Sequence, residues 1–410
     1  MNLVVFAHQD LSDVPIHKWV DCKKNRVFVM ADVEEQKNDD VERFLELGYA
    51  EVKLYSNYVN NGNIEADVIE LFERHHLDRL IAIGEGDVVR TARLREALGI
   101  PGQSLESAVA YRNKSVMKRF LVESQVPVAP HRTLSSPIDL VEFRRAQGLP
   151  LFIKPAAASN STALHAIRTE AEYQRFLTQG FGARFPYSDY PGDLMVEKLI
   201  EGRQYHVDGL VLEGTPEVIV PSLYLTPFMP KCSVTVETED PLHGRLCTIV
   251  SNALKALPSP RAFSFHAEVF HTPNDELLIN EIASRTGGGK ISSVVGVMCG
   301  VELNHLSVLG QIDPAVARQI LSEYRSLSQC AGISLISPKD VELIAAPNQC
   351  PLPWVLDFNV YAPIGFKTNP GTPSKIAAGV VKGDNAVEVK ARLNQFNHWF
   401  LESFTRSIER

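Results

Sequence analysis

The chain has 410 residues, beyond the size at which one hydrophobic core keeps growing, so two or three domains are expected. With 45% hydrophobic and 22% charged residues and a net charge of −8, it has an ordinary globular composition; no basic stripe marks a nucleic-acid partner, and no apolar run reaches the roughly 20 residues of a membrane helix. Six scattered cysteines (Cys22, Cys232, Cys247, Cys299, Cys330 and Cys350) lack metal-ligand or redox spacing and read as reduced thiols of a cytoplasmic protein.

The segment Met1–Phe6 has no basic leader and reads as a first buried strand. Strand-length apolar runs at Leu3–Ala7, Arg26–Met30, Glu51–Tyr55 and Arg79–Ile83 alternate with helical spacing at Asp40–Leu47, Ile64–His75 and Val88–Leu98. That alternation predicts a parallel α/β domain over residues 1–105. Gly84-Glu85-Gly86 lies at a strand-to-helix turn, which by itself explains the glycines as well as a phosphate contact does. After Gly99-Ile100-Pro101-Gly102, one helical stretch is expected from Ser104 to Ser124.

Residues 131–195 then predict a small strand-rich unit: His131–Leu134, Leu151–Lys154, Leu164–Ile167 and Leu194–Glu197, with one helix at Glu170–Gln179 and a surface excursion at 180–191. Val207–Leu212, Val218–Leu223, Phe263–Phe270 and Leu277–Ile282 read as an antiparallel set, followed by helices at Ser292–Cys299, Leu303–Gln311 and Pro314–Ser322. Residues 331–410 add strands at Ala331–Ile336, Val355–Val360 and Val380–Val381 and an amphipathic helix from Ala386 to Ile408.

The hairpin around Thr272-Pro273-Asn274-Asp275 carries the sharpest chemical signal. If Pro273 to Glu276 form the connection, Thr272 faces Leu277, and counting outward puts Glu268 opposite Glu281. Two carboxylates facing each other about 5 Å apart destabilise a ladder and push one pKa up. A divalent cation between them removes both penalties, and an oxygen-only ligand set suits Mg²⁺, with Mn²⁺ as an alternative occupant. Arg285 and Gly287-Gly288-Gly289 follow closely. The competing explanation is an edge hairpin with two solvated glutamates.

Two lysines stand out upstream. Lys114 lies in the helical stretch Tyr111-Arg112-Asn113-Lys114-Ser115-Val116-Met117-Lys118, and Lys154 ends the apolar strand Leu151-Phe152-Ile153-Lys154 before Pro155. A lysine at the buried end of a strand is costly unless an anion receives it. The small, hydroxyl-rich run Ala156 to Thr162 can fold over phosphates through backbone N–H groups, although an ordinary polar loop after a snorkelling lysine explains it equally. Glu197-Lys198-Leu199-Ile200 with Gly202 makes a strand and hinge able to seat a flat heterocycle.

In this order, Asn113-Lys114, Ile153-Lys154-Pro155, Val196-Glu197-Lys198, His266-Ala267-Glu268 and Glu281-Ile282-Ala283-Ser284-Arg285 resemble the ATP-grasp superfamily over nearly the whole chain. The likeness is to its carboxylate–amine ligase branch, which includes the bacterial L-amino acid ligases. The resemblance implies an α/β pre-grasp domain, an ATP-grasp region over residues 106–330 with a mobile lid at 131–195, and a C-terminal part of that lobe from 331. It implies that Lys114 and Lys154 hold ATP phosphates under a loop that includes Ser159, Ser161 and Thr162. Glu197, Lys198, Leu199 and Ile200 would form the adenine hinge, and Gln204 would stand at the ribose. Glu268 and Glu281 would hold the metal. Arg285, with Lys154, would steady the acyl phosphate, and His266 and Gly287 to Gly289 would line the site for the carboxylate and amine substrates.

Three departures from that pattern stand out. The phosphate loop contains no glycine, Gln204 replaces a glutamate, and Ala283 stands where many relatives have a metal-binding asparagine. The expected reaction is ATP-dependent amide or peptide bond formation through an acyl phosphate, releasing ADP and phosphate, without nucleic-acid or membrane partners. Carboxylation through carboxyphosphate and nucleotide binding without turnover are the alternatives; no biotinyl-lysine segment is apparent, and Ala283 speaks against the first. A homodimer is compatible with the resemblance. Lys231 and His243, near the strand-poor stretch Pro227 to Gly244, could reach the site but are expected on a solvated loop, and whether His206 and Asp208 form a network or face solvent stays open.

Overall fold

In the computed structural model the described residues are 1–36, 41–157, 165–180, 194–225, 232–324, 329–368 and 375–408. The first domain is built on a parallel sheet of β1 (Asn2–Ala7), β2 (Arg26–Asp32), β3 (Glu51–Tyr55) and β4 (Arg79–Ala82) in the order β3-β2-β1-β4. The near-continuous apolar strand β1 is buried on both faces, as a central parallel strand requires. Leu3, Val5 and Ala7 pack on one side, and Val4 and Phe6 on the other. Around the sheet stand α1 (Ile16–Trp19), α2 (Val41–Glu46), α3 (Asn63–His75) and α4 (Asp87–Leu98).

The single helix expected from Ser104 to Ser124 is two helices, α5 (Leu105–Arg112) and α6 (Lys114–Glu123). Asn113 leaves the helical conformation at φ −102° and ψ 108°, and its side chain accepts from the N–H groups of Ser115 (3.0 Å) and Val116 (3.2 Å). Asparagine makes the break because its oxygen satisfies donors that a new helix start exposes. The break places Lys114 at a helix N-terminus rather than mid-helix.

A second, antiparallel sheet contains β5 (His131–Leu134), β6 (Leu151–Pro155), β7 (His165–Ile167) and β8 (Leu194–Lys198) in the order β5-β8-β6-β7. It carries α7 (Pro137–Gln147), a helix the sequence reading omitted, and α8 (Glu170–Gln179). Pro137 opens α7, and Asp139 accepts from the Ser136 N–H at 2.9 Å. Thr169 and Glu172 cap α8 reciprocally, at 3.2 and 2.9 Å.

The largest sheet has eight strands: β9 (Arg203–Leu212), β10 (Thr215–Tyr224), β11 (Cys232–Thr235), β12 (Phe263–His271), β13 (Leu277–Ala283), β14 (Cys330–Ile336), β16 (Val355–Val360) and β17 (Ala377–Gly383). Their order is β13-β12-β9-β10-β11-β14-β17-β16, while β15 (Val341–Leu343) pairs separately with β18 (Thr405–Ser407). On one face, α6 and α9 (Pro241–Ala256) pack Met117, Leu121, Leu246 and Val250 against Val207, Phe265 and Ile279. On the other face, α10 (Ile291–Cys299) and α11 (Leu303–Ile312) bury Val295, Leu303 and Leu306 against Leu210 and Leu212, with α12 (Pro314–Glu323) beside them. The final helix, α13 (Ala386–Phe404), ends four residues short of Ile408, because Thr405–Ser407 turns into β18. No single helix among the described residues is long and apolar enough to cross a membrane.

Candidate active site

The two glutamates do face each other: Glu268 on β12 is registered with Glu281 on β13. The route to that register differs from a simple count. At the turn the closing pair is His271 with Leu277, one residue off the expected Thr272–Leu277, and a β-bulge at Asn280 restores the pairing at Glu281. The bulge also turns Asn280 toward the glutamate, where its Nδ2 donates to Glu268 Oε2 at 2.9 Å and its Oδ1 accepts from Lys154 Nζ at 3.1 Å. Glu268 further accepts from Gln204 Nε2 at 2.8 Å and from Tyr224 OH at 3.3 Å.

These half-buried carboxyls titrate in opposite directions. Burial, and then the negative charge of Glu281, hold Glu268 above the ordinary carboxylate range. Burial also works to raise Glu281, but Lys114 and Lys154 outweigh it and hold that carboxyl below its ordinary range. Lys114 Nζ lies 2.9 Å from Glu281 Oε2, and its backbone N–H donates to Ala156 O at 2.8 Å, tying α6 to the residue that follows β6.

Glu197 and Lys198 stand differently from a hinge read by side chains. Glu197 is 4% exposed and lies between two ammonium groups, Lys154 Nζ at 2.8 Å and Lys118 Nζ at 3.0 Å. Burial works to raise its pKa, and the two lysines reverse that, bringing it down to about 2. Lys198 Nζ donates to the carbonyls of Gln147 (3.1 Å), Gly148 (3.4 Å) and Leu149 (2.9 Å), at the C-terminal end of α7. The Leu199 N–H donates to Pro150 O at 3.2 Å, and Leu199 and Ile200 lie just past the end of β8. The Lys198 N–H likewise donates to Pro130 O at 2.9 Å, so the backbone donors of 198 and 199 are both taken up within the protein.

Arg285, just past β13, reaches across to the first domain. Its Nε and Nη2 donate to Glu85 Oε2 at 2.9 and 2.6 Å, and Arg112 pairs with the other oxygen of the same carboxylate. Burial would raise the Glu85 pKa, but the two guanidinium groups bring it down to about 2. Thus Gly84-Glu85-Gly86 presents a carboxylate at the C-terminal end of β4, where ligands gather on parallel sheets.

His266 is 6% exposed and sits on a buried acid, with its Nδ1 2.8 Å from Asp208 Oδ1; His206 Nδ1 is 2.6 Å from Asp208 Oδ2. His206 and Asp208 are thereby a buried network. Burial alone would raise the Asp208 pKa and lower that of His266, but their mutual attraction wins at both, depressing the acid and raising the imidazole. Gly287 covers this pair: a Cβ there would lie 2.7 Å from Asp208 Oδ1 and 2.9 Å from His266 Nδ1. Gly288 has open space at its Cβ position, and Gly289, at φ +68°, turns the chain into α10.

The structure therefore links Lys114 to Glu281, Gln204 to Glu268, Lys154 to Glu268 through Asn280, and His266 to Gly287, while Arg285 pairs with Glu85 and meets Glu281 through charge, and Gly289 faces Leu335. Ser159, Ser161, Thr162 and Lys231 lie outside the described residues. His243 is on α9, not on a loop; its ring Nδ1 lies 3.8 Å from Cys247 Sγ. The sequence reading left the His206–Asp208 network open and missed Glu85, Arg112, Lys118 and Asn280. Lys118, four residues after Lys114 and so on the same helix face, had a readable signal; the bulge that aims Asn280 had none.

No family model matches the chain. It is 25% identical over 260 residues to an L-arginine-specific L-amino acid ligase of Bacillus subtilis, covering 59% of this chain and 62% of that protein. It is 26% identical over 232 residues to the D-alanine–D-alanine ligase A of Brucella suis, covering 52% of this chain and 62% of the relative. Among solved structures, the L-amino acid ligase from Bacillus licheniformis superposes with a TM-score of 0.78 at 14% identity, covering 100% of this chain and 99% of that one. The chain has the ATP-grasp fold. In this ATP-grasp fold the parallel sheet comes first in the chain, the four-stranded antiparallel sheet follows, and the glutamate pair lies on the eight-stranded sheet.

Proposed function

We propose that this chain is an ATP-dependent carboxylate–amine ligase that forms an amide bond through an acyl phosphate, with an amino acid as substrate. The observation that carries the reading is the facing pair Glu268–Glu281 with Lys114, Lys154 and Arg285 converging on it or on its neighbours. The donor set fits magnesium: two carboxylates, one held above its ordinary range by burial and then by the charge of the other, gain from a divalent cation that takes only oxygen ligands. Bound there, the ion would neutralise phosphate charge. Because Ala283 offers no side-chain oxygen, a second ion would lean on Glu281 and water or be absent, while the amide oxygen of Asn280 accepts from Lys154 Nζ.

The work of the protein is positioning and charge neutralisation. Lys114 and Lys154 exchange their present partners for phosphate oxygens. A carboxylate oxygen of the substrate attacks the γ-phosphorus and ADP leaves. Arg285 steadies the resulting acyl phosphate; the amine then attacks the carbonyl carbon, losing a proton, and phosphate departs with one oxygen of the original carboxylate. Gly287 keeps the wall over His266 and Asp208 low enough for substrate to approach. The lid sheet, with Lys154 at its inner end, closes the site against water, which would hydrolyse the intermediate. ADP release across a panel of amino acids tests this reading. A ligase needs two substrates together, a carboxylase needs bicarbonate, and a binding protein releases none.

A further inference from the structure

A cavity of about 300 Å³ opens between the first domain and the large lobe, walled by the end of β4, α4, the start of β12 and α11. It shares Arg285 with the candidate active site, but Glu268, Glu281, Lys114 and Lys154 do not line it. Its volume lies at the small end of the range for ligand sites.

The charge on its walls is unbalanced. Arg95 lines the cavity, is 5% exposed, and forms no ion pair with any carboxylate among the described residues. Its Nη1 reaches Thr91 Oγ1 at 3.3 Å and Gln103 O at 3.4 Å, and its Nη2 donates to Leu80 O; its Nε is buried with no hydrogen-bond partner. A guanidinium taken out of water costs several kcal/mol unless a charge answers it. Neutral carbonyls answer only part of that cost, and burial alone brings its pKa down to about 10. Arg79 also lines the space and donates to the carbonyls of Asp78 and Gln311, while Arg261 stands exposed at the rim. The one lining carboxylate, Glu213, is engaged by Arg318 and lies 4.0 Å from Arg261. Ile83, Val88 and Val308 give the same space an apolar side.

We infer that this cavity is a binding site for a compact organic anion, a carboxylate or a phosphate monoester, whose charge is received by Arg95 and whose body rests on the apolar wall. The site stands whether or not the chain is a ligase. The shared wall at Arg285 sets its occupant beside the candidate active site.

The test is thermal unfolding of the full chain titrated with sodium acetate, with glycerol phosphate and with sodium chloride at matched ionic strength. The expected result is a saturable rise in Tm with one of the two organic anions and not with chloride; which anion responds identifies the charged group. Arg95→Met removes the guanidinium and keeps an unbranched side chain; the saturable rise is expected to vanish while the ligand-free Tm is kept or raised. Arg261→Glu changes only the exposed rim, is expected to weaken the response about tenfold, and carries the test if Arg95→Met does not fold. ADP release without added anion should be unchanged in Arg261→Glu, which keeps this test separate from that of the ligase reading. No saturable response to either anion, or an identical response in both variants, overturns the inference.

Discussion

Replacing Glu197 by glutamine removes one negative charge from between two ammonium groups and keeps the shape of the side chain. In the folded protein that carboxyl has a pKa of about 2 against an ordinary 4.5, a gap that corresponds to on the order of 3 kcal/mol of stability at neutral pH. Breaking a buried pair by deleting one partner independently suggests about 3–5 kcal/mol, because Lys118 and Lys154 are left facing each other without an anion. The folded carboxyl is depressed relative to the unfolded one. Its contribution is therefore fully present above pH 4.5 and is lost as pH falls toward about 2. Urea unfolding of wild type and Glu197→Gln at pH 7 measures the difference, and the same comparison near pH 3 should show it shrinking. Preference for ATP over GTP should not change, since the side chain faces lysines rather than a base. A stability loss below about 1 kcal/mol, or a changed nucleotide preference at unchanged stability, would refute the reasoning.

Glu281→Gln should lower ADP release at least about 100-fold while leaving Tm within a few degrees, as removal of a charge-stabilising group at a reaction centre does; full ATP consumption in that variant would remove the metal role. Gly287→Ala places a methyl group against Asp208 and His266, and should cost about 1–3 kcal/mol and raise KM for the carboxylate or amine substrate with the KM for ATP unchanged. An alanine variant with wild-type kinetics would mean that this wall does not border the substrate. Chelation of divalent ions should stop ADP release, and added Mg²⁺ should restore it; turnover that persists in excess chelator contradicts the assignment of Glu268 and Glu281.

The parallel first sheet was legible because buried strands such as β1 are apolar at nearly every position, and the lysines and glutamates stood out by their order. The hairpin register came out right although the turn is one residue longer than the count assumed. The alternation that fixes the strand does not reveal a bulge, and the bulge at Asn280 cancelled the error. The break at Asn113 was missed because a residue that caps a helix also tolerates one, and only the hydrogen bonds to Ser115 and Val116 decide which it does. Helix α7 was passed over in a segment read for strands, although Pro137 and Asp139 supply a start signal. Glu85 was invisible for a different reason. Its partners, Arg112 and Arg285, lie 27 and 200 residues away, and no local pattern predicts that two guanidinium groups meet on one carboxylate.

The most direct measurement follows oxygen through the reaction. An amino acid substrate labelled with ¹⁸O in its carboxylate is incubated with the enzyme, ATP, Mg²⁺ and an amine. The account predicts ADP and inorganic phosphate carrying one labelled oxygen for each amide formed. Unlabelled phosphate alongside amide formation, or amide formation with release of AMP instead of ADP, contradicts the acyl phosphate route.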